Sequence, residues 1–262
     1  MIISYLLIFL IGSSIGSFLN VLIYRFPKGE DFLSSRSFCP KCRHKLNWYD
    51  LIPLLSFFLL KRKCRYCKEP ISFHYPLIEL LTGIFFCFIF YNLEINFLFF
   101  IYFSIITFFL ILIFFYDLKY YIIPNILVYS LIFLAFVFNI FSHFYPESLL
   151  MPSTQYSILN TTCTAFGTSF FFLLIFLISR GKWIGFGDIK FFVFMGLFLG
   201  FPKILAAIFL ASLLGSIIGL ALIVLKKKGL KTEIPFGPFL ITGTYLAFFW
   251  ENFINWYLNY LR

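Results

Sequence analysis

Long apolar runs separated by short polar segments dominate the chain, lying at roughly 2–24, 76–92, 97–116, 123–141, 158–179, 186–201, 204–225 and 236–259. A helix needs about 20 apolar residues to cross a hydrocarbon core of about 30 Å. The pattern therefore predicts an all-α polytopic membrane protein with about eight transmembrane helices, the second and sixth runs being short for the task. The first run has no basic segment before it and no small-x-small site after it, so it reads as a retained span, not as a cleaved signal. Three zones follow: a first helix over 1–24, a polar insert over 25–75, and a helical bundle over 76–262. Within the insert, residues 51–60 are apolar but too few to span, and are expected to form a core or interfacial helix. The loops at 92–96, 142–157 and 201–203 are brief, so chemistry is expected on the opposite side, where the insert lies.

Composition agrees, with 61% hydrophobic, 24% aromatic and 12% charged residues, far from a soluble globular chain. The 42 Phe residues suit a lipid-facing surface and carry no functional message of their own. The net charge of +10 raises the question of nucleic acid, and the positions of the 21 Lys and Arg residues answer it. Eleven fall between 25 and 75, and Lys119, Arg180, Lys182, Lys190, Lys226, Lys227, Lys228 and Lys231 fall on the same side of the bilayer once the first helix runs outside to inside. Only Lys203 and Arg262 lie opposite. That asymmetry is the positive-inside signature, so the charge reflects topology, with the N-terminus outside and the insert in the cytoplasm, and nucleic-acid binding is not expected.

The insert contains Cys39-Pro-Lys-Cys42 and Cys64-Arg-Tyr-Cys67, a C-x2-C-x21-C-x2-C pattern close to that of zinc ribbons, in which two knuckles present four thiolates tetrahedrally. Lys41, Arg43, Lys63 and Arg65 favour the thiolate form, and in a reducing cytoplasm metal ligation is expected over disulfides. With four Cys ligands no position remains for a water, so the metal is expected to staple a small domain and not to catalyse. His44 is expected to be a surface residue. Cys87 and Cys163 lie alone in apolar runs, where packing is the default role.

Acids in membrane spans are costly, so each is a candidate for function. Glu79 lies near the start of the second run, Asp117 ends the third in YDLKYYIIP (116–124), Asp188 opens the sixth in GFGDIK (185–190), and Glu251 falls in the last. The topology puts Asp117 and Asp188 at one surface although 71 positions separate them. Two carboxyl groups brought together cannot both ionise cheaply and can hold one proton between them. The ionised member then takes a proton from water while the protonated one polarises a carbonyl, as in aspartic proteases. Gly185 and Gly187 allow close backbone approach, and Pro124 breaks the helix past Asp117. The plainer reading makes Asp117 a helix end in water and Asp188 an N-terminal cap.

Taken with GSFLNVLIYRFP (16–27), HKLNWYDLIP (44–53), YPLIELLTG (75–83) and PFGPF (235–239), the cysteine insert and the two aspartate motifs resemble the type IV prepilin peptidase family in order and spacing. The YD and GxGD motifs are also similar to those of presenilin-type intramembrane proteases. The resemblance implies a bacterial inner-membrane aspartic protease that removes the basic leader of prepilins and pseudopilins at the cytoplasmic face. It implies further that the new N-terminal amine is methylated with S-adenosylmethionine, the insert being the methyltransferase part. By the motif match Asp117 and Asp188 are the catalytic pair, and Cys39, Cys42, Cys64 and Cys67 are zinc ligands. No glycine-rich nucleotide loop occurs in the insert. Asp50 and Glu79 are conceivable partners for an amine or cofactor, although a structural hydrogen bond is the expected role of each. Glu30, Asp31, Asp50 and Glu69 are local acids available to a basic leader.

Two other classes stay open at this point. A proton-coupled transporter would use buried acids as a relay, but only Glu251 lies deeper in a span than the two aspartates. A scaffold would use the cysteine insert to dock a partner, and aspartate substitutions would leave it untouched.

Overall fold

The computed structural model describes residues 2–29, 37–92, 97–144, 157–225 and 234–260, with side chains as far as 249. Among these, nine α-helices, two 3-10 turns and no strands occur, the α-helices being α1 (Ile2–Arg25), α2 (Leu55–Leu59), α3 (His74–Asn92), α4 (Phe97–Tyr120), α5 (Asn125–Phe144), α6 (Ile158–Ser179), α7 (Phe186–Leu199), α8 (Lys203–Val224) and α9 (Gly237–Tyr260). All eight predicted runs are helical. The helices α1, α3, α4, α5, α6 and α8 are long and apolar enough to cross a membrane, making this a multi-pass membrane protein. The 14 residues of α7 rise only about 21 Å, short of a full crossing. Glu30, Asp31, Lys226, Lys227, Lys228, Lys231, Arg262 and the Glu251 side chain lie outside the described residues.

The chain divides into two compact units, Met1–Leu112 and Ile113–Arg262. In the first, α1 packs along α3 through small residues. A Cβ on Gly16 would sit 2.7 Å from the Glu79 Cα, and one on Gly12 would sit 3.0 Å from the Gly83 Cα. Gly12 and Gly16 form a GxxxG pair, the spacing that lets helix backbones touch in lipid, where association rests on packing and not on water exclusion. Asn20 Nδ2 donates to the Tyr75 carbonyl (3.1 Å) and fixes the register.

In the second unit α7 is the core. Phe191, Phe192, Phe194 and Met195 are fully buried, as expected of a helix apolar on every side. Phe172 of α6 stacks on Phe192 at 3.9 Å, and Asn139 Nδ2 of α5 donates to the Leu197 carbonyl (2.8 Å). The outward faces of α6 and α8 are Phe and Leu, which face lipid at no cost.

Candidate functional site

The second unit gathers three helix ends around one residue, Ile123. α4 ends at Tyr120, just past Asp117, where Tyr121 takes a positive φ of 58°. Ile123 is buried, and Pro124, which cannot continue α4, precedes the start of α5 at Asn125. A Cβ on Gly187 would lie 3.0 Å from the Ile123 Cβ, and one on Gly237 would lie 3.3 Å from its Cδ1. Ile123 thus touches the glycine beside Asp188 and the first residue of α9.

Asp117 and Asp188 are both buried. The Gly237 N–H donates to Asp117 Oδ2 (3.0 Å), so the positive end of α9 faces that carboxylate. A side chain there would move Asp117, because a Cβ on Gly237 would lie 2.6 Å from the same oxygen. Asp188 stands in the first turn of α7, where Oδ2 accepts from the Gly185 N–H (3.2 Å) and the Asp188 N–H donates to the Gly185 carbonyl (3.1 Å). Asp188 is therefore the third residue of α7, reaching back to the Gly185 cap, and is not itself the N-terminal cap of the plainer reading. It also stands near Asp117, since its neighbour Gly187 and the Gly237 that holds Asp117 both pack against Ile123. Two residues past Asp188, Lys190 Nζ donates to Asn125 Oδ1 (2.7 Å), tying α7 to α5.

Gly237 went unassigned in the sequence, although Gly-Pro opening a helical run is a helix-start signal. Ile123 carried no signal at all, because an Ile among apolar residues looks like any other.

The insert belongs to the first unit. The sulfur atoms of Cys39, Cys42, Cys64 and Cys67 all lie within 4.8 Å of one another, with Cys39 Sγ and Cys67 Sγ 3.9 Å apart. Tetrahedral sulfur around a metal at 2.3 Å requires edges of about 3.8 Å, so the cluster can hold a metal ion. The two knuckles share one construction. Cys39 N–H donates to the His44 carbonyl (3.0 Å) and Arg43 N–H to the Cys39 carbonyl (2.8 Å), and Cys64 and Lys68 repeat this with Glu69 and Cys64 at 2.8 and 3.0 Å. Arg43 and Lys68 take the matching positive φ values of 56° and 59°.

Burial works against a Cys64 thiolate, but the backbone N–H groups of Cys67 and Tyr66 outweigh it and bring that thiol down to about 7. The Glu69 N–H favours a Cys67 thiolate, yet desolvation and the neighbouring thiols push Cys67 up to about 11. The two shifts are one effect: the first thiolate makes the next harder to form, and a divalent cation removes that conflict.

His44 stays outside the cluster, its ring lying on Tyr66 at 3.7 Å. Asp50 accepts from Arg65 Nε (2.7 Å), from the Asn47 N–H (3.3 Å) and from the Tyr66 hydroxyl (3.4 Å). Glu69 pairs with Lys41 at 3.6 Å, and Glu79 Oε2 accepts from the Leu54 N–H (2.8 Å). Each of these acids is held by groups of this chain, Asp50 and Glu69 by its own cations. Cys87 Sγ contacts the Tyr5 carbonyl within the apolar packing, and Cys163 is exposed on α6.

The chain matches the Bacterial Peptidase A24 N-terminal domain over residues 10–93 and the Type IV leader peptidase family over residues 104–220. A prepilin leader peptidase/N-methyltransferase from Legionella pneumophila is 29% identical over 98% of this chain and 95% of its own length. The proteins of the same name from Aeromonas salmonicida and Aeromonas hydrophila are each 30% identical over 97% of this chain and 93% of theirs. No solved structure matches. Similarity that runs almost end to end, at 30% identity over 97% of the chain, means that this chain belongs to the type IV leader peptidase family.

Proposed function

We propose that this protein cleaves the leader peptide of type IV prepilins and related pseudopilins at the cytoplasmic face of the bacterial inner membrane, with Asp117 and Asp188 as the catalytic pair. The observation that carries the reading is the meeting of the two motifs at the end of α4 and the start of α7: the Gly237 N–H holds Asp117, and Gly237 and the Gly187 beside Asp188 both pack on Ile123. One carboxylate takes a proton from a water, whose oxygen attacks the scissile carbonyl. The other, protonated, donates to the carbonyl oxygen and takes that proton back as the tetrahedral intermediate collapses, while the first passes the water's proton to the leaving amine. The Gly237 N–H fixes the Asp117 carboxylate and leaves its second oxygen for water. The N-terminus lies outside, so both aspartates meet the junction of a membrane-embedded substrate at the inner surface.

Zinc suits the four thiolates on donor type and spacing. Cys39, Cys42, Cys64 and Cys67 hold it as a structural ion that fixes the insert. The relatives' names support a second activity, N-methylation of the amine exposed by cleavage, with S-adenosylmethionine as methyl donor. Among the described residues of the insert no glycine-rich loop occurs and Asp50 is already paired, so no residue is assigned to that cofactor.

The test is to mix membranes holding the protein with a purified prepilin and follow the substrate by mass. Loss of the leader followed by a gain of one methyl group is expected from the parent chain. Asp117→Asn and Asp188→Asn are expected to give neither product, and processing by either variant overturns the reading.

A further inference from the structure

The helix α2 leaves large apolar side chains uncovered. Leu55, Phe58 and Leu59, spaced i, i+3 and i+4 and so on one face, are 58%, 69% and 78% exposed, while Phe57 on the other side is buried. Such a patch needs a partner in water. Its depth identifies the partner. The Leu54 N–H, at the start of α2, donates to Glu79 Oε2 (2.8 Å). Glu79 is the sixth residue of α3, about 7.5 Å along that helix. The Glu79 backbone in turn touches Gly16, nine residues and about 13.5 Å before the end of α1. The start of α2 is thus pinned level with positions inside two spans. The chain enters α2 through Leu54 (φ 61°) and leaves through Lys61 and Arg62 (φ 51° and 62°), sharp reversals that bring it down to that level and back. Lys61, Arg62 and Lys63 follow directly and are exposed.

We propose that α2 lies in the membrane interface, with Leu55, Phe58 and Leu59 at the boundary of headgroups and acyl chains, and Lys61 and Lys63 on the phosphates of anionic lipids. An apolar face with a basic flank is the composition that binds there. The bilayer contact and the Glu79 hydrogen bond together set the orientation of the insert above the spans.

The test uses the full-length, metal-loaded protein in nanodiscs of equal phosphatidylcholine and phosphatidylglycerol, carrying Leu59→p-benzoylphenylalanine or Phe58→p-benzoylphenylalanine. Illumination is expected to add the mass of one lipid, with phosphatidylglycerol several-fold over-represented. In Lys61→Glu/Lys63→Glu the adduct is expected to persist with that preference gone. An adduct of twice the protein mass, or none, overturns the placement, and an unchanged lipid preference in the double variant overturns the headgroup contact. Because the substituted side chains point away from the core, the insert stays folded, which retained metal content verifies.

Discussion

Asp50 in the insert and Asp117 in the bundle are almost equally hidden, at 8% and 4% exposure, yet their surroundings differ in kind. Asp50 is saturated: a guanidinium, a backbone N–H and a phenol converge on its two oxygens, and its carboxylate holds the Arg65 guanidinium above the usual range. Asp117 has one backbone donor, a glycine where any Cβ would collide, and a second carboxyl group nearby instead of a cation. A buried carboxylate matched by a cation is spent on structure. One matched by an N–H and no cation of its own is, on the proposed function, the one available for chemistry.

The sharpest way to break this contrast is to neutralise each acid without changing its shape. Asp117→Asn or Asp188→Asn is expected to lower the initial rate of leader release by at least about 10²–10⁴-fold, the usual worth of a general acid or base, with helix content unchanged. Asp50→Asn is expected to leave that rate within a factor of about two, since surrounding packing holds the insert. Comparable loss in all three variants would erase the distinction.

Next in size is Gly237→Ala. The added methyl must displace Asp117 Oδ2 or Ile123, and misplacing a catalytic group by 1 Å costs about 10²-fold in rate. Turnover is expected to fall while KM for the prepilin holds. A rate equal to the parent's would show that the Gly237 contact does not position Asp117.

Much of this was legible in the sequence, for identifiable reasons. The spans were visible because lipid demands unbroken apolar length, and the knuckles because metal geometry demands short cysteine spacing. The two aspartate motifs were visible because a charge in a span is rare. Ile123 and Gly237 were not legible, since what matters is the space they leave, which depends on helices 120 residues apart in the chain meeting at Asp117. The place of α2 was only half legible: residues 51–60 were too short to span, but the Leu54 to Glu79 hydrogen bond that ties them to α3 is a tertiary fact. Asp188 shows why local reading stops short, because its bond to the Gly185 cap and its approach to Asp117 are both present and only one of them is local.

A third prediction concerns the metal. Cys64→Ser removes one of two buried thiols of the cluster and is expected to lower zinc content and lower methyl transfer at least tenfold more than cleavage, because metal binding and folding of such an insert are one equilibrium. Equal loss of both activities would show that the insert also supports the protease unit.

The smallest effect, and the finest test of the contrast, lies in the Asp50 to Arg65 pair. Its partners are unequal: the Arg65 side chain is 47% exposed and that of Asp50 only 2%. Arg65→Met therefore strands a charge, while Asp50→Asn returns a guanidinium to water and keeps a polar acceptor for the Asn47 N–H. The rule that leaving a buried group unsatisfied costs about 1–3 kcal/mol, more for a charge, predicts that Arg65→Met destabilises the insert more than Asp50→Asn does. Solvent at Arg65 holds the difference to about 1 kcal/mol. Zinc release to a chelator, followed against urea, measures it. The reverse order would mean that the ion pair, and not the burial of Asp50, dominates, and the comparison with Asp117 would then rest on charge pairing alone.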